Sequence, residues 1–498
     1  MKKYIFQRVI KSIIAIFLVV AVVVAMVYTL IDTKRIFEND TTFNKLKGNE
    51  RVVYRFQTLE NLGYLDYATM GEMCNVESKN NTGDCIKKDS ESQKKVLKVY
   101  EDKGYTIQKL TGGGNLNGQY IATRNYTVFE LIGRYFKNLI IVDRPGKIQD
   151  PNNPELDQNR GYYFGTDHNG VPALMCTGCE YKYQIYFNGQ FPFIHSNILS
   201  LNFGNSYPSR PGSKTVDVIS EGQGVLDNKD IVYPTGQKGK GAEDLHSLRY
   251  KKNPDHLDEL KYLDNYADAT LNKKDRSMIG NSYLFGVTSL ILAYVIAIPA
   301  GVAMARNKGK FIDKLGILYI NILIAIPSLA FIFIMKYFGS FFDLPDKFPQ
   351  LGAGNIKSYI MPILILTILS TSGIMTWIRR YMIDQSSADY VKFAKAKGLS
   401  KKEISKNHIL KNAIIPIVNG IPASIVLSIS GSIITESVFA IPGMGKMLPD
   451  AISGANNNMV ITLTFILTAL SIFSLFAGDL LLTVVDPRIS LNAKKGDI

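Results

Sequence analysis

Six predominantly apolar runs in this chain contain no Asp, Glu, Lys or Arg: Ser12–Ile31, Met278–Ala305, Leu315–Met335, Ser358–Ile378, Asn412–Thr435 and Met459–Gly478, of 20, 28, 21, 21, 24 and 20 residues. At about 1.5 Å of rise per residue, some 20 apolar residues in a helix cover a hydrocarbon core of roughly 30 Å. Each run therefore predicts a transmembrane helix, and the chain reads as a polytopic membrane protein. Over all 498 residues, 46% hydrophobic and 20% charged content would pass for an ordinary large soluble protein, because the average mixes two unlike populations. A soluble single-domain enzyme, a nucleic-acid-binding protein and a disordered tail are excluded as the main reading.

The net charge of +14 sorts the same way. Residues 32–277 hold 33 basic and 32 acidic side chains, so nearly all of the excess lies beside the apolar runs. Placing the N-terminus inside makes 1–11, 305–314, 379–411 and 486–498 the inner segments, with 20 of the 24 remaining Lys and Arg. Only Lys336, Lys347, Lys357 and Lys446 fall on the other face. Positive charge in short loops marks the cytoplasmic side. Both termini are thus expected in the cytoplasm, with 32–277 extracellular. The first run follows Lys2, Lys3, Arg8 and Lys11, as a signal peptide would. Its 20 residues exceed the roughly 7–15 of a signal core, and no small-residue cleavage site follows, so it is read as a retained helix.

The 246-residue outer segment is long enough to be a domain of its own and is rich in Tyr, Asn and Gly. Turn signals at Gly112-Gly113-Gly114 and at Asp150 to Pro154, strands at Tyr181–Phe187 and Phe191–Ile194, and a polar helix at Ser90–Tyr100 suggest an α+β fold. All four cysteines lie here, Cys74, Cys85, Cys176 and Cys179, on the side that permits disulfides. Three connectivities exist, and proximity alone favours Cys74 with Cys85 and Cys176 with Cys179. The Cys176-Thr177-Gly178-Cys179 spacing also occurs in redox motifs and zinc knuckles, but no second pair completes a metal site. No metal site and no catalytic residue are expected. His168, His195, His246, His256 and His408 form no HExxH pattern, and Gly236–Gly241 lacks the spacing of a phosphate loop. If ATP drives this protein, another chain hydrolyses it.

The most informative stretch lies between the fourth and fifth runs. Residues 389–397 suit a short helix, and Gly398 is a residue that can end one in the left-handed conformation. Ser400-Lys401-Lys402-Glu403 is a capping-box pattern that starts the next helix. Two short helices joined at a glycine would make an L projecting from the membrane, offering Tyr390, Phe393, Ala394 and Leu399 to a partner. The competing reading is a loop that binds anionic lipid, since nine Lys and Arg lie between 379 and 411; the order helix, glycine, capped helix favours the first.

On these residues the sequence resembles the membrane subunits of binding-protein-dependent ABC importers of the oligopeptide/dipeptide permease type. Their coupling loop carries an EAA-x3-G-x9-I-x-L-P pattern, and Ala394, Gly398 and Leu410 match its strict form. Asn412 to Pro416, Glu436 to Leu448, Asp486 to Ile489, Leu201 to Tyr207 and Val216 to Ile219 are similar to further stretches of that type. The resemblance covers 278–489 and the first 31 residues, while residues from about 35 to 190 look like the enlarged outer insertion of Ami-type peptide permeases of Gram-positive bacteria. It implies an all-α polytopic membrane protein with six transmembrane helices of the type I importer kind and an extracellular α+β domain between helices 1 and 2. The units would be 1–31, 32–277, 278–489 with coupling loop 379–411, and a tail at 490–498. The implied coupling residues are Tyr390, Phe393, Ala394, Gly398, Leu399, Ser400, Glu403 and Leu410.

The implied partners are a second homologous permease, two cytosolic ATPase subunits that bind ATP and Mg, and an extracellular peptide-binding lipoprotein. The cargo is an oligopeptide moved by alternating access; this chain would carry no cofactor. Pro299, Pro327, Pro362, Pro416 and Pro422 lie in or beside spans, where membrane helices tolerate proline. Asp479, near the inner end of the last span, reads as an interfacial carboxylate rather than a proton-relay acid. A secondary transporter would show an internal repeat, which is missing, and a membrane-anchored receptor would leave the five-span block without a purpose. The size and balanced charge of the outer segment make it a candidate docking platform for the binding protein. Reporter fusions test the topology: a fusion at position 230 should read as external, and a cytoplasmic signal there would overturn the orientation.

Overall fold

The computed structural model describes residues 2–77, 82–87, 90–111, 116–189 and 193–485. The Gly112–Gly114 turn, Phe191 and Pro192, the Asp486–Ile489 stretch and the tail at 490–498 lie outside the described residues. The main helices are α1 (Lys2–Leu30), α2 (Val128–Leu139), α3 (Met278–Arg306), α4 (Phe311–Ala325), α5 (Ser328–Ser340), α6 (Lys357–Ser386), α7 (Asp389–Ala396), α8 (Ile415–Gly431), α9 (Ile433–Phe439), α10 (Met444–Ser453) and α11 (Asn457–Val485). Among the described residues, α1, α3, α6, α8 continued by α9, and α11 are each long and apolar enough to cross a membrane. The chain is a multi-pass membrane protein.

The third apolar run departs from the straight span expected of Leu315–Met335. It is split into α4 and α5, which meet at an angle of 105°. Proline lacks an N–H and pushes the residue before it out of helical geometry. Ile326 accordingly takes φ −79° and ψ 126°, and Pro327 φ −56° and ψ 131°, so the chain turns there and restarts. Pro299, Pro362 and Pro422 sit inside helices that continue past them. The stretch after the fifth run, expected as a loop from Glu436 to Leu448, is mostly helical: α9 ends at Ala440 in the left-handed region (φ 55°) and α10 begins at Met444.

Helices α3 and α6 form the centre of the bundle and approach closely at Gly301, where an added Cβ would lie 2.8 Å from the Ile378 side chain. Where α3 ends and α4 begins, the Arg379 guanidinium of α6 grips Asp313 of α4 at 2.6 and 2.9 Å, and the same carboxylate accepts Gly309 N–H at 2.8 Å. This bidentate pair holds the α3–α4 turn against α6. Asp479 pairs with Arg8 of α1 at 3.2 Å, so it joins the first and last helices.

Between α1 and α3 the chain builds small antiparallel sheets. Strands β1 (Leu65–Thr69), β2 (Thr106–Lys109) and β3 (Tyr120–Asn125) form one sheet in the order β1-β3-β2, backed by the helix Glu91–Asp102, whose N-cap is Ser90. Strands β4 (Ile140–Val142) and β9 (Leu199–Leu201) pair as a ribbon around a four-stranded meander, β5 (Gly161–Thr166), β6 (Pro172–Thr177), β7 (Tyr183–Phe187) and β8 (Ile194–Ser196). The expected strand at Phe191–Ile194 thus starts only at its last residue among those described. Asp143, 2% exposed, knots this part by accepting Glu180 N–H, Tyr181 N–H and the Gln184 amide at 2.7, 2.9 and 2.7 Å. The glycine- and lysine-rich stretch at 236–241 is one side of an ordinary hairpin.

The polar segment is fused to the bundle rather than tethered. Helix α2 lays Ile132, Tyr135 and Phe136 on α1, with Phe136 stacked on Phe17 at 4.1 Å. Phe203 meets Phe465 of α11 at 5.0 Å. At the start of α11, Asn456 donates to Ser206 and Ser209 at 2.8 and 2.9 Å and accepts Tyr207 N–H, Asn457 donates to the Tyr64 hydroxyl, and Asn458 donates to Asn205 C=O at 2.9 Å. Asn456→Ala would leave buried donors and acceptors unpaired, at a cost of about 1–3 kcal/mol. Amide exchange around residues 204–209 and the first turn of α11 should quicken while exchange in α3 and α6 stays unchanged.

Candidate functional site

A cavity of about 570 Å³ opens between α3, α6 and α8. Gly286, Ser289, Leu290 and Tyr294 line it from α3, Leu366, Ser370, Trp377 and Tyr381 from α6, and Pro416, Gly420, Ser424 and Leu427 from α8. The lining is apolar and aromatic with scattered hydroxyls, and no Asp, Glu, Lys or Arg is among its residues. The single tryptophan of the chain, Trp377, stacks on Tyr381 at 5.5 Å toward the Arg379 end of α6. At the other end Gly286 and Ser428 close the space: a Cβ on Gly286 would lie 2.4 Å from the Ser428 hydroxyl. A neutral, half-open pocket of this kind suits a ligand by shape and by bonds to its few side-chain hydroxyls, and selects weakly by charge. Sequence reasoning located none of these residues, since they share only a helical face, and the face is revealed by what packs behind it.

The second feature is an elbow between α6 and α8, at the Arg379 end of the bundle. Helix α7 ends with Lys397 and Gly398, and Gly398 takes φ +77°. Its N–H reaches Lys395 C=O at 3.0 Å, and Leu399 N–H returns to Ala394 C=O at 3.3 Å. The chain restarts at Ser400, whose hydroxyl accepts Glu403 N–H at 3.2 Å while Ser400 N–H donates to the Glu403 carboxylate at 2.9 Å. The Ser400 hydroxyl also donates to that carboxylate at 2.7 Å, and this bond together with the Ser400 N–H holds the Glu403 carboxyl below the usual carboxylate range. After the α-turn Lys401–Glu403 the helix widens to a π-helix over Ile404–Ile409 and returns to α at Leu410–Ala413, so the second arm is not a uniform helix.

The four side chains expected to face a partner do not share one exposed face. Ala394, 5% exposed, is buried with Val391, Ile404 and Ile409 against Ile378 and Met382 of α6. Tyr390 is half-buried, packs on the same cluster and donates to the Gln385 side chain at 2.8 Å. Leu410 also packs there. Only Phe393, 69% exposed, and Leu399 remain on the outer surface of the elbow. The reason is the short helix itself: Tyr390, Val391 and Ala394 share the face that docks on the bundle. Burying Val391, Ile404 and Ile409 contributes roughly 1.5–3 kcal/mol each, so the elbow is mounted as a rigid part of the bundle.

The cysteines and histidines of the polar segment complete the survey. Cys74 is bonded to Cys85 and Cys176 to Cys179. Asp167, His168 and His246, which lie up to 79 residues apart in sequence, place their side-chain N and O atoms within 4.8 Å of one another. The Asp167 carboxylate is already engaged by the His246 ring at 2.7 Å and by the N–H groups of Asn169 and Val171, both at 2.8 Å. Burial, helped by the neighbouring His246, lowers the pKa of His168. The group joins the β5–β6 turn to the turn at 245–247. His195 stacks on Tyr186, His256 lies 3.6 Å from Glu259, and His408 sits half-buried in the π-helix.

Apolar helices packed around a neutral cavity, with an elbow clamped to one end, make an integral membrane protein, and its relatives say of what family. Residues 297–491 match the family of binding-protein-dependent transport system inner membrane components. Over 100% of both chains the sequence is 41% identical to the oligopeptide transport system permease protein AmiC of Streptococcus pneumoniae serotype 4. It is 32% identical to the dipeptide transport system permease protein DppB of Lactococcus lactis subsp. cremoris, over 42% of this chain and 69% of that one. An inward-facing structure of the MetNI methionine ABC transporter aligns with 41% of this chain and 93% of its own at 19% identity and a TM-score of 0.35. The chain belongs to the family of peptide transport system permease proteins.

Gly398 offers a direct test of the elbow. No atom lies within 4 Å of where its Cβ would be, so substitution there acts through the backbone alone. Gly398→Val should cost about 1–2 kcal/mol and Gly398→Asn less, because Asn tolerates positive φ. Amide exchange in 395–404 should rise in that order, with membrane insertion unchanged.

Proposed function

We propose that this chain is one of two permease subunits lining the pathway of an ATP-driven oligopeptide importer, with a type I six-helix membrane part in which α4 and α5 together count as one bent span. The observation that carries the reading is the full-length 41% identity to a permease named for oligopeptide transport. The cavity supports it: peptides differ in side-chain charge, and a lining without charged residues accommodates many of them. Its half-open form suits a concave face completed by a second permease.

In this reading both termini are cytoplasmic and residues 32–277 extracellular, supported by the distribution of basic residues. An extracellular binding lipoprotein delivers the peptide and the outer segment receives it, with exposed aromatics such as Phe164 available as contacts. Two cytosolic ATPase subunits bind ATP and Mg and meet the elbow, where Phe393 and Leu399 are the exposed apolar contacts. Closure of the ATPases then displaces elbow and bundle together, and the helices rock between inward and outward access. This chain binds no nucleotide and catalyses no reaction.

The decisive experiment is purification from membranes followed by reconstitution. Partner ATPase chains should copurify, and ATP should drive peptide into vesicles that also receive the binding protein. Phe393→Asp should abolish copurification and uptake at unchanged membrane abundance, since a carboxylate replaces the exposed apolar contact. Unaltered uptake and association in that variant would overturn the coupling assignment.

A further inference from the structure

A fully buried carboxylate sits just outside the cavity. Glu436 of α9 is 0% exposed, as is Ser282 of α3, and Ser432 is 1% exposed. One carboxylate oxygen accepts the Ser282 hydroxyl at 2.6 Å and the Ser432 hydroxyl at 2.7 Å; the other accepts Lys446 N–H at 2.9 Å. The Lys446 ammonium lies instead 3.8 Å from Asp450. A buried carboxylate is retained at a high desolvation cost only where fixed donors replace water, and here those donors come from three separate stretches of chain.

The surrounding backbone is shaped to this side chain. A Cβ on Gly443 would lie 2.3–2.5 Å from the Glu436 carboxylate, and one on Gly445 would lie 2.6 Å from Ile429 C=O. Both glycines are therefore required by close approach. Two further bonds cross from α3 to the same loop: Asn281 donates to Pro442 C=O at 2.9 Å, and Met444 N–H donates to the Ser282 hydroxyl at 2.8 Å. Ser282 lies four residues before Gly286 and Ser432 four residues after Ser428, the pair at which α3 and α8 close on each other at one end of the cavity. The Glu436 cluster is thus about one helical turn, roughly 5.4 Å, outward of that closure.

We propose that Glu436 is the positioning residue that mounts the loop Ala440–Lys446 as the outer closure of the peptide cavity, by locking it to α3 through Ser282. The proposal rests on the importer reading for its transport consequence, but the closure is a geometric property that is read without transport. With Glu436 in place, loop, α3 and α8 move as one body, so the outer mouth stays shut until the whole bundle rocks. Without it, the loop loses its shared anchor and the mouth leaks.

The test uses the assembled transporter in membranes, with a cysteine at the cavity residue Leu427 and a membrane-impermeant maleimide added from outside. The four native cysteines are disulfide-bonded and contribute no background. In the otherwise unmodified protein, Leu427→Cys should label slowly. Adding Glu436→Ala should raise the labelling rate and lower uptake at least about tenfold each, the scale of losing charge-assisted hydrogen bonds in a buried site. Glu436→Gln, which keeps the volume and an acceptor oxygen, should restore slow labelling and part of the uptake. Ser282→Ala, which removes the two bonds that the α3 hydroxyl makes to Glu436 and to Met444 N–H, should label faster than the parent and insert normally. Slow labelling in both Glu436→Ala and Ser282→Ala would overturn the proposal, even if uptake were lost, because the residue would then serve stability alone. Absence of uptake in the unmodified transporter would instead refute the importer reading and leave the labelling result standing.

Discussion

Everything in the membrane part answers to one constraint: a hydrocarbon interior offers no water to satisfy a backbone N–H or C=O, so the chain crosses as helix and departs from helix only where something else supplies the bonds. Pro327 ends α4 and starts α5 where the chain can afford a turn, with Ile326 N–H still bonded to Ile322 C=O and Phe331 N–H to Pro327 C=O. Between α9 and α10 the break is covered in another way. Phe348 N–H takes Phe439 C=O, the Lys336 ammonium takes Val438 C=O, and Asn281 takes Pro442 C=O. The buried charges obey the same rule: Asp313 is matched by a bidentate guanidinium, and Glu436 by two hydroxyls and an N–H.

The polar segment is bound to the bundle through the same economy. Asn456, Asn457 and Asn458 occupy the end of α11, where first-turn N–H groups need partners in any case. Their side chains extend that requirement to Tyr64 and to residues 205–209, so the helix terminus becomes the joint between the two parts. Within the polar segment Asp40 steadies that strip, accepting the Tyr54 hydroxyl at 2.9 Å and the Tyr207 hydroxyl. Motion of α11 is thereby felt in the polar segment without a flexible linker between them. Seen from the other end, the elbow is equally integral, because Val391, Ala394, Ile404 and Ile409 pack directly on α6. The cavity lies between these two packed ends.

How far the sequence could be read depends on the range of the interactions involved. The spans were legible because a run without charge is a one-dimensional signal that the bilayer enforces residue by residue. The elbow's corner was legible because a glycine followed by Ser-x-x-Glu acts within a few residues, and Gly398 at φ +77° with the Ser400–Glu403 box follows from local geometry alone. Family resemblance located the same stretch independently, and full-length identity places the chain in that family. The 105° bend was available in principle, since Pro327 interrupts its run, yet a proline in a membrane helix is as often absorbed, as at Pro299, Pro362 and Pro422.

What the tertiary structure alone decided is which side of each local element is used. Short-range pattern placed Tyr390, Phe393, Ala394 and Leu399 in the elbow, but only packing against Ile378 and Met382 buries Ala394 and leaves Phe393 outside. The cavity lining, the Asp313–Arg379 clamp and the Glu436 anchor each join residues 66 to 154 positions apart or face a space rather than a neighbour. Hydrophobicity, charge and capping are properties of the chain itself, so the sequence determines where it crosses the membrane and where it turns. Contacts between distant residues depend on how the helices pack, so the cavity, its closure and the mounting of the polar segment were decided only in the folded molecule.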